Sequence, residues 1–369
     1  MKHLCTFVLL LTAPMHAQVQ VEALPESGIQ PQAVTTGSGL VHVVYLKGDP
    51  KGCDIRHATQ KAAGGRWSAP VTVNSVPRSA IAAGTIRGAQ IALGKDDSLQ
   101  VIWNGSTNAK GAKPGQAPLL HARLLSGARE FTPQQDLLGE TTVLDGGASI
   151  AANEKGHVAI VWHASPSGVS EERSRLVWVR YSADDGVTFS SPASLNASQP
   201  GVCACCSLRA HLASDDTLSV LYRAATSPKE RGMHLITSKS GRATLKKLDD
   251  WNVAMCPMSS ASLVPEARGL RTAWENQGRI VTTLLNVTTS NSENTGADDA
   301  KHPVLAHNVR GQTLIASVIG SGWAKAGRLH WELLDAQGKT VDSGDGEKLP
   351  VWSYAAAYAL PDGSFVILR

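Results

Sequence analysis

Two short segments carry cysteines and methionines at spacings that allow sulfur chemistry. They are Cys203-Ala204-Cys205-Cys206 and Met255-Cys256-Pro257-Met258. The first segment is too tight for its three cysteines to pair comfortably with one another, which favours a structural disulfide between Cys256 and one of them. Two alternatives stay open: thiolates and thioethers are soft ligands suited to copper as Cu(I), and an unpaired thiol here is a candidate redox group. The spacing does not match the paired knuckles of a tetrahedral zinc site.

The N-terminus indicates export, which changes how the cysteines are interpreted. A short basic start precedes an apolar stretch, residues 4–12, that is too short to span a bilayer, and Ala17 is the expected last residue before cleavage. We therefore expect a signal peptide over residues 1–17 and a secreted or periplasmic single domain over residues 18–369. Of six cysteines, Cys5 leaves with the signal; five remain, so at least one lacks a partner within the chain.

Composition narrows the function classes. The 369 residues are 42% apolar and 18% charged, with a formal net charge of +4, and no long basic run interrupts them. This is the composition of a globular domain rather than of a disordered or collagen-like chain. It gives no support for nucleic-acid binding, and no stretch after the N-terminus reaches the length of a membrane span.

A repeated unit organises the chain and must position these side chains. A short alternating strand, a tight polar turn and a second strand that often ends near an aromatic residue recur seven times, at residues 32–45, 89–103, 148–162, 208–223, 261–274, 303–318 and 354–369. The spacing of roughly 40 to 60 residues is typical of propeller blades. Helical periodicity is absent over long windows. The pattern predicts an all-β protein, a six- or seven-bladed β-propeller of four-stranded antiparallel blades.

Closure of the ring and the placement of the cysteines follow from the same repeat. The seventh unit stops after two strands, and the alternating segment 18–24 is a candidate to add a strand to it, which removes exposed edges.

The two cysteine segments precede the innermost strands of units four and five. Neighbouring blades are therefore expected to bring Cys256 beside the first cysteine group on one face of the propeller.

One motif carries a family resemblance. The stretch Ser182-Ala183-Asp184-Asp185-Gly186-Val187-Thr188-Phe189 matches the Asp-box pattern S-x-D-x-G-x-T-[W/F], and the chain thereby resembles the sialidase (Asp-box) superfamily of β-propellers. The motif's role is structural: Ser182, Asp184 and Thr188 hold the hairpin turn, Gly186 takes its positive φ, and Phe189 packs into the blade. These five positions are not expected to be catalytic.

The C-terminus extends the resemblance to a candidate active site. The segment Tyr354 to Gly363 resembles the final sialidase blade, in which a tyrosine is the nucleophile that attacks the anomeric carbon. The resemblance implies that Tyr354 needs a base and an acid, for which Glu275 and Asp54 are the candidates. It also implies arginines that grip a substrate carboxylate, for which Arg87 and Arg223 are the candidates.

The match is incomplete at the first blade. The family usually opens this blade with Arg-Ile-Pro, whereas residues 29–32 of this chain read Ile-Gln-Pro-Gln. The arginine expected there is missing, and neither Arg87 nor Arg223 lies in a family motif.

Three functions remain open on the sequence. The favoured one is an exported sialidase-like propeller that binds or cleaves acidic glycans, either an exo-glycosidase or a relative that has lost catalysis, with no cofactor. The second is a copper-binding or thiol-redox propeller that uses Cys203, Cys205, Cys206 and Cys256, with Met255 and Met258 as further ligands. The third is a scaffold without a small ligand.

Overall fold

A computed structural model describes residues 18–61, 65–109, 117–166, 169, 171–285 and 297–369, and the backbone alone of 292–295. The expected signal peptide, residues 1–17, lies outside the described residues. The described chain forms seven sheets arranged as a β-propeller, so the predicted fold class is confirmed and the number of blades is seven. Within the described residues, no helix is long and apolar enough to cross a membrane.

The strands follow a simple order in which each blade runs outward from the central axis. In chain order they are β1 (Val19–Glu22) of blade 7; β2 (Ile29–Thr35), β3 (Val41–Asp49), β4 (Gly52–Gln60) and β5 (Val71–Thr72) of blade 1; β6 (Gln90–Leu93), β7 (Leu99–Asn104), β8 (Leu119–Leu124) and β9 (Gln135–Asp136) of blade 2; β10 (Ser149–Ala152), β11 (Val158–Ala164), β12 (Leu176–Ser182) and β13 (Ala193–Ser194) of blade 3; β14 (Arg209–Leu212), β15 (Leu218–Arg223), β16 (Met233–Lys239) and β17 (Arg242–Lys247) of blade 4; β18 (Ala261–Glu266), β19 (Gly269–Asn276), β20 (Arg279–Leu285) and β21 (Ser292–Thr295) of blade 5; β22 (Ala300–His307), β23 (Thr313–Ile319), β24 (Arg328–Leu334) and β25 (Thr340–Lys348) of blade 6; β26 (Ala356–Ala359) and β27 (Phe365–Leu368) of blade 7. Short 3-10 turns lie at Pro25–Ser27, Lys95–Asp97 and Glu172–Ser174.

The N-terminal strand closes the ring. β1 pairs in parallel with β27, with Val19 opposite Phe365, and completes blade 7 as a three-stranded sheet. The Leu24 amide adds a further bond to the Arg369 carbonyl at 2.9 Å. The expected role of segment 18–24 is confirmed, and the closure covers an edge of the last blade that would otherwise be open to pairing with other chains.

Second strands of the blades are apolar on both sides because each is packed between two neighbours. In β7, Val101 and Trp103 face blade 1, whereas Ile102 faces blade 3. The tryptophans at the ends of three second strands, Trp103, Trp162 and Trp274, are fully buried. Packing between blades therefore explains these tryptophans, and they are not exposed platforms for a ligand.

The turn after β12 is held by side chains of the Ser182–Phe189 segment in blade 3. The Ser182 hydroxyl donates to Asp184 Oδ1 at 2.7 Å and accepts from the Gly186 amide at 2.9 Å. Thr188 donates to the same carboxylate through its amide at 2.9 Å and its hydroxyl at 2.6 Å. Gly186 has φ of +77°, and Phe189 packs edge-on against His121 of blade 2. The motif thus fixes both the turn and its contact with the preceding blade.

Replacing Asp184 by asparagine should lower the free energy of unfolding at pH 7 by about 1 kcal/mol, because one oxygen acceptor and its charge are lost. Hydrogen bonds from Thr188 and Ser182 lower the pKa of Asp184 from 3.8 to about 2. A lowered pKa stabilises the folded state above the ordinary pKa, and this stabilisation is lost as pH falls towards 2. Denaturant midpoints of both proteins at neutral pH and near pH 2.5 test this. A difference between the proteins that persists in acid would contradict it.

Candidate ligand channel and cysteine face

A channel runs along the axis of the propeller. It has a volume of about 540 Å³ and is lined by the innermost strands of all seven blades. Most of the lining residues are small or apolar, but polar atoms make up the larger part of the exposed lining; the polar side chains include Gln32, Gln90, Ser149, Ser262 and His211. A concave cavity with converging polar groups is a usual form of a small-molecule site.

Arg209 is the one permanently charged residue among the described residues that line this channel. It is the first residue of β14, and the first residues of β6 and β10 are the uncharged Gln90 and Ser149. Its guanidinium donates to the Leu208 carbonyl at 2.9 Å, which uses one of five N–H donors. Burial lowers the pKa of Arg209, although the adjacent Tyr354 acts in the opposite direction. An arginine side chain remains charged at neutral pH after such a shift.

Tyr354 lies just before β26 with 2% of its surface exposed, next to the channel-lining residues Arg209, Gln32 and Gln90 but not itself part of the lining. Among the described residues its hydroxyl has no partner with good hydrogen-bond geometry, but the side chains of Arg209, Gln32 and Gln90 lie close enough to interact with it. Burial raises the pKa of Tyr354, and Arg209 acts in the opposite direction. The hydroxyl is therefore held among three polar side chains that also line the channel.

Strained backbone surrounds this tyrosine. Gln30 and His302 sit at bulges at the starts of β2 and β22, with φ of 53° and 54°, and both side chains are buried. The His302 ring stacks on the Tyr354 ring with centroids 6.1 Å apart. A Cβ on Gly88 would clash with the Tyr354 hydroxyl, so only glycine fits there. Residues other than glycine in this backbone region cost energy and are enriched at functional sites.

Two of the candidate site residues hold loops. Asp54 accepts hydrogen bonds from the Asn74 side chain at 2.8 Å and from the Arg78 amide at 2.6 Å. Arg87 donates to the Asp145 carbonyl at 3.0 Å and forms an ion pair with the Asp145 carboxylate. The contacts described for both residues are to these loops and not to Tyr354.

Arg223 and Glu275 lie together, but beside the cysteines. The Arg223 guanidinium donates to the Glu275 carbonyl at 2.7 Å and to the Arg231 carbonyl at 2.6 Å, and it lies 4.8 Å from the Trp251 ring centroid. One Glu275 oxygen is 3.8 Å from Lys301 Nζ. Burial raises the pKa of Glu275, while the charge of Lys301 acts in the opposite direction. Arg223 thus contacts the backbone of Glu275, and the described neighbours of Tyr354 include neither residue.

Neighbouring blades bring Cys203, Cys205, Cys206 and Cys256 together, as expected, and we call this cluster the cysteine face. Cys205 and Cys256 are joined by a disulfide, so the favoured pairing of Cys256 with the first group is confirmed. Cys203 and Cys206 are free and buried, and Cys53 is free and buried elsewhere, in blade 1. The copper alternative stays a prediction for the reduced protein, because only Cys203 and Cys206 offer thiolates in this cluster while the disulfide is intact.

The two free thiols differ in acidity. The hydrogen bond to Cys206 and burial raise the pKa of Cys203 well above its ordinary value. Burial acts to raise the pKa of Cys206 as well, but the hydrogen bond from Cys203 and the charge of Arg223 outweigh burial and lower it. Cys206 is therefore the more acidic of the pair.

Comparison with solved structures places the fold among known propellers. An α-L-arabinanase from Penicillium chrysogenum complexed with arabinobiose is 11% identical, with a TM-score of 0.56 over 87% of this chain and 98% of that chain. A Trypanosoma rangeli sialidase in complex with sialic acid is 10% identical, with a TM-score of 0.52 over 94% of this chain and 56% of that chain. An ulvan lyase bound to -[GlcA(1-4)Rha3S]- is 13% identical, with a TM-score of 0.52 over 91% and 89%.

This chain has a sialidase-like propeller fold. At these identities the likeness concerns the fold alone. No family model and no curated protein matches the sequence.

Two residues beside Tyr354, Arg209 and His302, are not among the candidates that the sequence predicts. Arg209 was not selected, although it lies in the fourth repeat unit, at the point where units two and three have Gln90 and Ser149. The charge of Arg209 at a position where the other two units have uncharged residues is the sequence feature that could have identified it. His302 carried no signal, because its contact with Tyr354 joins two blades through a local bulge.

Proposed function

We propose that this protein is an exported propeller that binds an acidic saccharide in its central channel, with Arg209 as the anchor for the ligand carboxylate. The observation that carries the proposal is that one permanently charged side chain, Arg209, lies among the described residues that line the channel, next to Tyr354. The carbohydrate ligands in the structures of the arabinanase, the sialidase and the ulvan lyase support a sugar as the ligand class.

The chemistry of these groups suits an anionic sugar. A guanidinium pairs with a carboxylate through two parallel hydrogen bonds, and such pairs are stronger where water is excluded. Gln32 and Gln90 line the channel near the same point and supply amide donors and acceptors for hydroxyl groups. A volume of about 540 Å³ lies within the usual range for small-ligand sites.

Binding without cleavage is the form of this function that we propose. A tyrosine nucleophile must reach the anomeric carbon with a base in contact, but Tyr354 is 2% exposed, and Glu275 lies beside Arg223 and Lys301. The first blade also lacks the arginine of the family pattern. These features favour a relative that has kept the sugar site and lost catalysis.

We also propose secretion or periplasmic residence. The Cys205–Cys256 disulfide fits an oxidising compartment, as does the signal-like N-terminus.

Isothermal titration of the purified protein with oligosaccharides that end in a uronic or sialic acid tests the function. We expect binding to the free acids and at least about tenfold weaker binding to their methyl esters, because the ester removes the charge that pairs with Arg209. Equal affinity for acid and ester would contradict the proposal. Binding to neither would favour the scaffold alternative, and hydrolysis of a fluorogenic sialoside that Tyr354→Phe abolishes would show catalysis instead.

A further inference from the structure

The sulfur atoms of Cys256, Cys205, Cys203 and Cys206 contact one another in that order, from the surface to the interior of the protein. Cys256 is exposed and bonded to the half-buried Cys205. The Cys203 sulfur lies 3.5 Å from the Cys205 sulfur and 3.5 Å from the Cys206 sulfur. A thiol in contact with a disulfide on one side and with a second thiol on the other is placed for exchange in both directions.

The buried pair has the backbone geometry of a disulfide. The chain turns between Cys203 and Cys206, and the Cys206 amide lies 3.5 Å from the Cys203 carbonyl oxygen. The ends of such a turn have Cα atoms within about 7 Å, which overlaps the range of about 4.4 to 6.8 Å found in disulfides. A bond between these two cysteines therefore needs only local adjustment.

Polar groups from blades 3 and 4, of which His163, Arg175 and Arg231 are buried and Glu172 is half-buried, hold this turn. Glu172 accepts a hydrogen bond from the Ala204 amide at 2.8 Å and pairs with Arg231 at 2.9 Å. His163 Nε2 donates to the Cys206 carbonyl at 2.8 Å, while its Nδ1 accepts from Arg175 at 3.0 Å. Desolvating these groups is costly. A single surface disulfide does not require them, whereas a reacting sulfur must be held at a fixed distance from its partner.

We propose that the cysteine face is a thiol–disulfide exchange site, in which a disulfide moves between the exposed pair Cys205–Cys256 and the buried pair Cys203–Cys206. First, Cys203 passes its proton to the Cys206 thiolate along their hydrogen bond and attacks Cys205; the Cys203–Cys205 bond forms, Cys256 leaves as a thiolate, and the proton passes from Cys206 to Cys256 through solvent. Next, the Cys206 thiolate attacks Cys203, and Cys205 leaves as a thiolate. The same electrons and protons remain in the protein, so no external oxidant is required.

The exchange changes what the surface offers to a partner. With the buried pair oxidised, Cys256 and Cys205 become a dithiol at the surface, able to attack an external disulfide. With the exposed pair oxidised, an external thiolate attacks the Cys256 sulfur, forms a mixed disulfide and releases the Cys205 thiolate. The substrate class is therefore a thiol or disulfide that reaches Cys256, and this activity is independent of the sugar channel.

Trapping the exposed thiol tests the exchange in the intact protein. The oxidised protein is incubated anaerobically with a charged maleimide, quenched in acid, unfolded, alkylated with a second reagent and digested with trypsin. Cys203, Cys205 and Cys206 fall in the peptide 181–209, and Cys256 falls in the peptide 248–268. The Cys205–Cys256 bond joins these peptides, whereas the Cys203–Cys206 bond leaves them separate.

We expect maleimide to accumulate on Cys256 as the joined peptides disappear and a bond inside peptide 181–209 appears. Cys203→Ser should slow this labelling at least tenfold. Cys206→Ser should permit it and accumulate the Cys203–Cys205 bond, and Cys53→Ser should behave as wild type. Joined peptides that persist in wild type with Cys256 unlabelled would overturn the proposal, as would wild-type labelling rates in Cys203→Ser. The wild-type result decides the question even if a variant fails to fold.

Discussion

Replacing Glu266 by alanine should lower the free energy of unfolding by about 3–5 kcal/mol, because it leaves the charge of Arg271 buried and unpaired. Glu266 at the end of β18 pairs with Arg271 in β19, and only 4% and 10% of the two side chains is exposed. Glu266 also accepts a hydrogen bond from Thr313 of blade 6 at 2.8 Å, and His307 lies 3.6 Å away. Glu266 therefore links blade 5, through Arg271, to blade 6, through Thr313 and His307.

Urea unfolding followed by circular dichroism measures this loss. A matched control is Glu171→Ala, which breaks a pair with Arg173 whose side chains are 58% and 70% exposed and should cost less than about 1 kcal/mol. The double variant Glu266→Leu with Arg271→Met should regain much of the loss, because it removes both charges. Equal losses in Glu266→Ala and Glu171→Ala would show that the buried charge of Arg271 is not the cause.

The same pair predicts an acid sensitivity. Burial acts to raise the pKa of Glu266, but hydrogen bonds from Arg271 and Thr313 outweigh burial and lower it. A lowered pKa means that the ionised carboxylate stabilises the fold above its ordinary pKa of 4.5 and that this contribution fades as pH falls below that value. The difference between wild type and Glu266→Ala should accordingly shrink in acid.

Arg209→Met should weaken binding of an acidic saccharide by about 100-fold, because removing one member of a desolvated charge pair costs several kcal/mol. Arg209→Lys should recover only part of the affinity, since an ammonium lacks the planar fork of the guanidinium. Methionine is close to arginine in length and removes the buried charge, so the fold is expected to persist. Titration calorimetry with the free-acid ligand gives the affinities.

The control for Arg209→Met is Arg242→Met. Both changes remove one positive charge from blade 4, but Arg242 lies exposed on the outermost strand, far from the channel lining. Wild-type affinity in Arg209→Met would show that the charge in the channel does not anchor the ligand. A loss in both variants of equal size would point to the net charge of the protein instead.

The placement of Arg209 shows why the site was only partly predictable. Tyr354 was found from a segment of ten residues, whose pattern is local. Its neighbours Gln32, Gln90 and Arg209 come from blades 1, 2 and 4, and Glu275, chosen as its base, proved to lie beside Arg223. Alternation and turn residues predict where a strand begins. They do not predict the bulges at Gln30 and His302, which change the direction of the nearby side chains.

The sequence by itself determined the repeated hairpins, the propeller and the turn built around Asp184, because strand alternation and turn chemistry act over a few neighbouring residues. Only the tertiary structure decided that there are seven blades, since this rests on Val19 pairing with Phe365 across the whole chain. It also decided which cysteine pairs with Cys256. Such contacts join residues far apart in sequence, and their geometry is set by blade packing rather than by any local pattern.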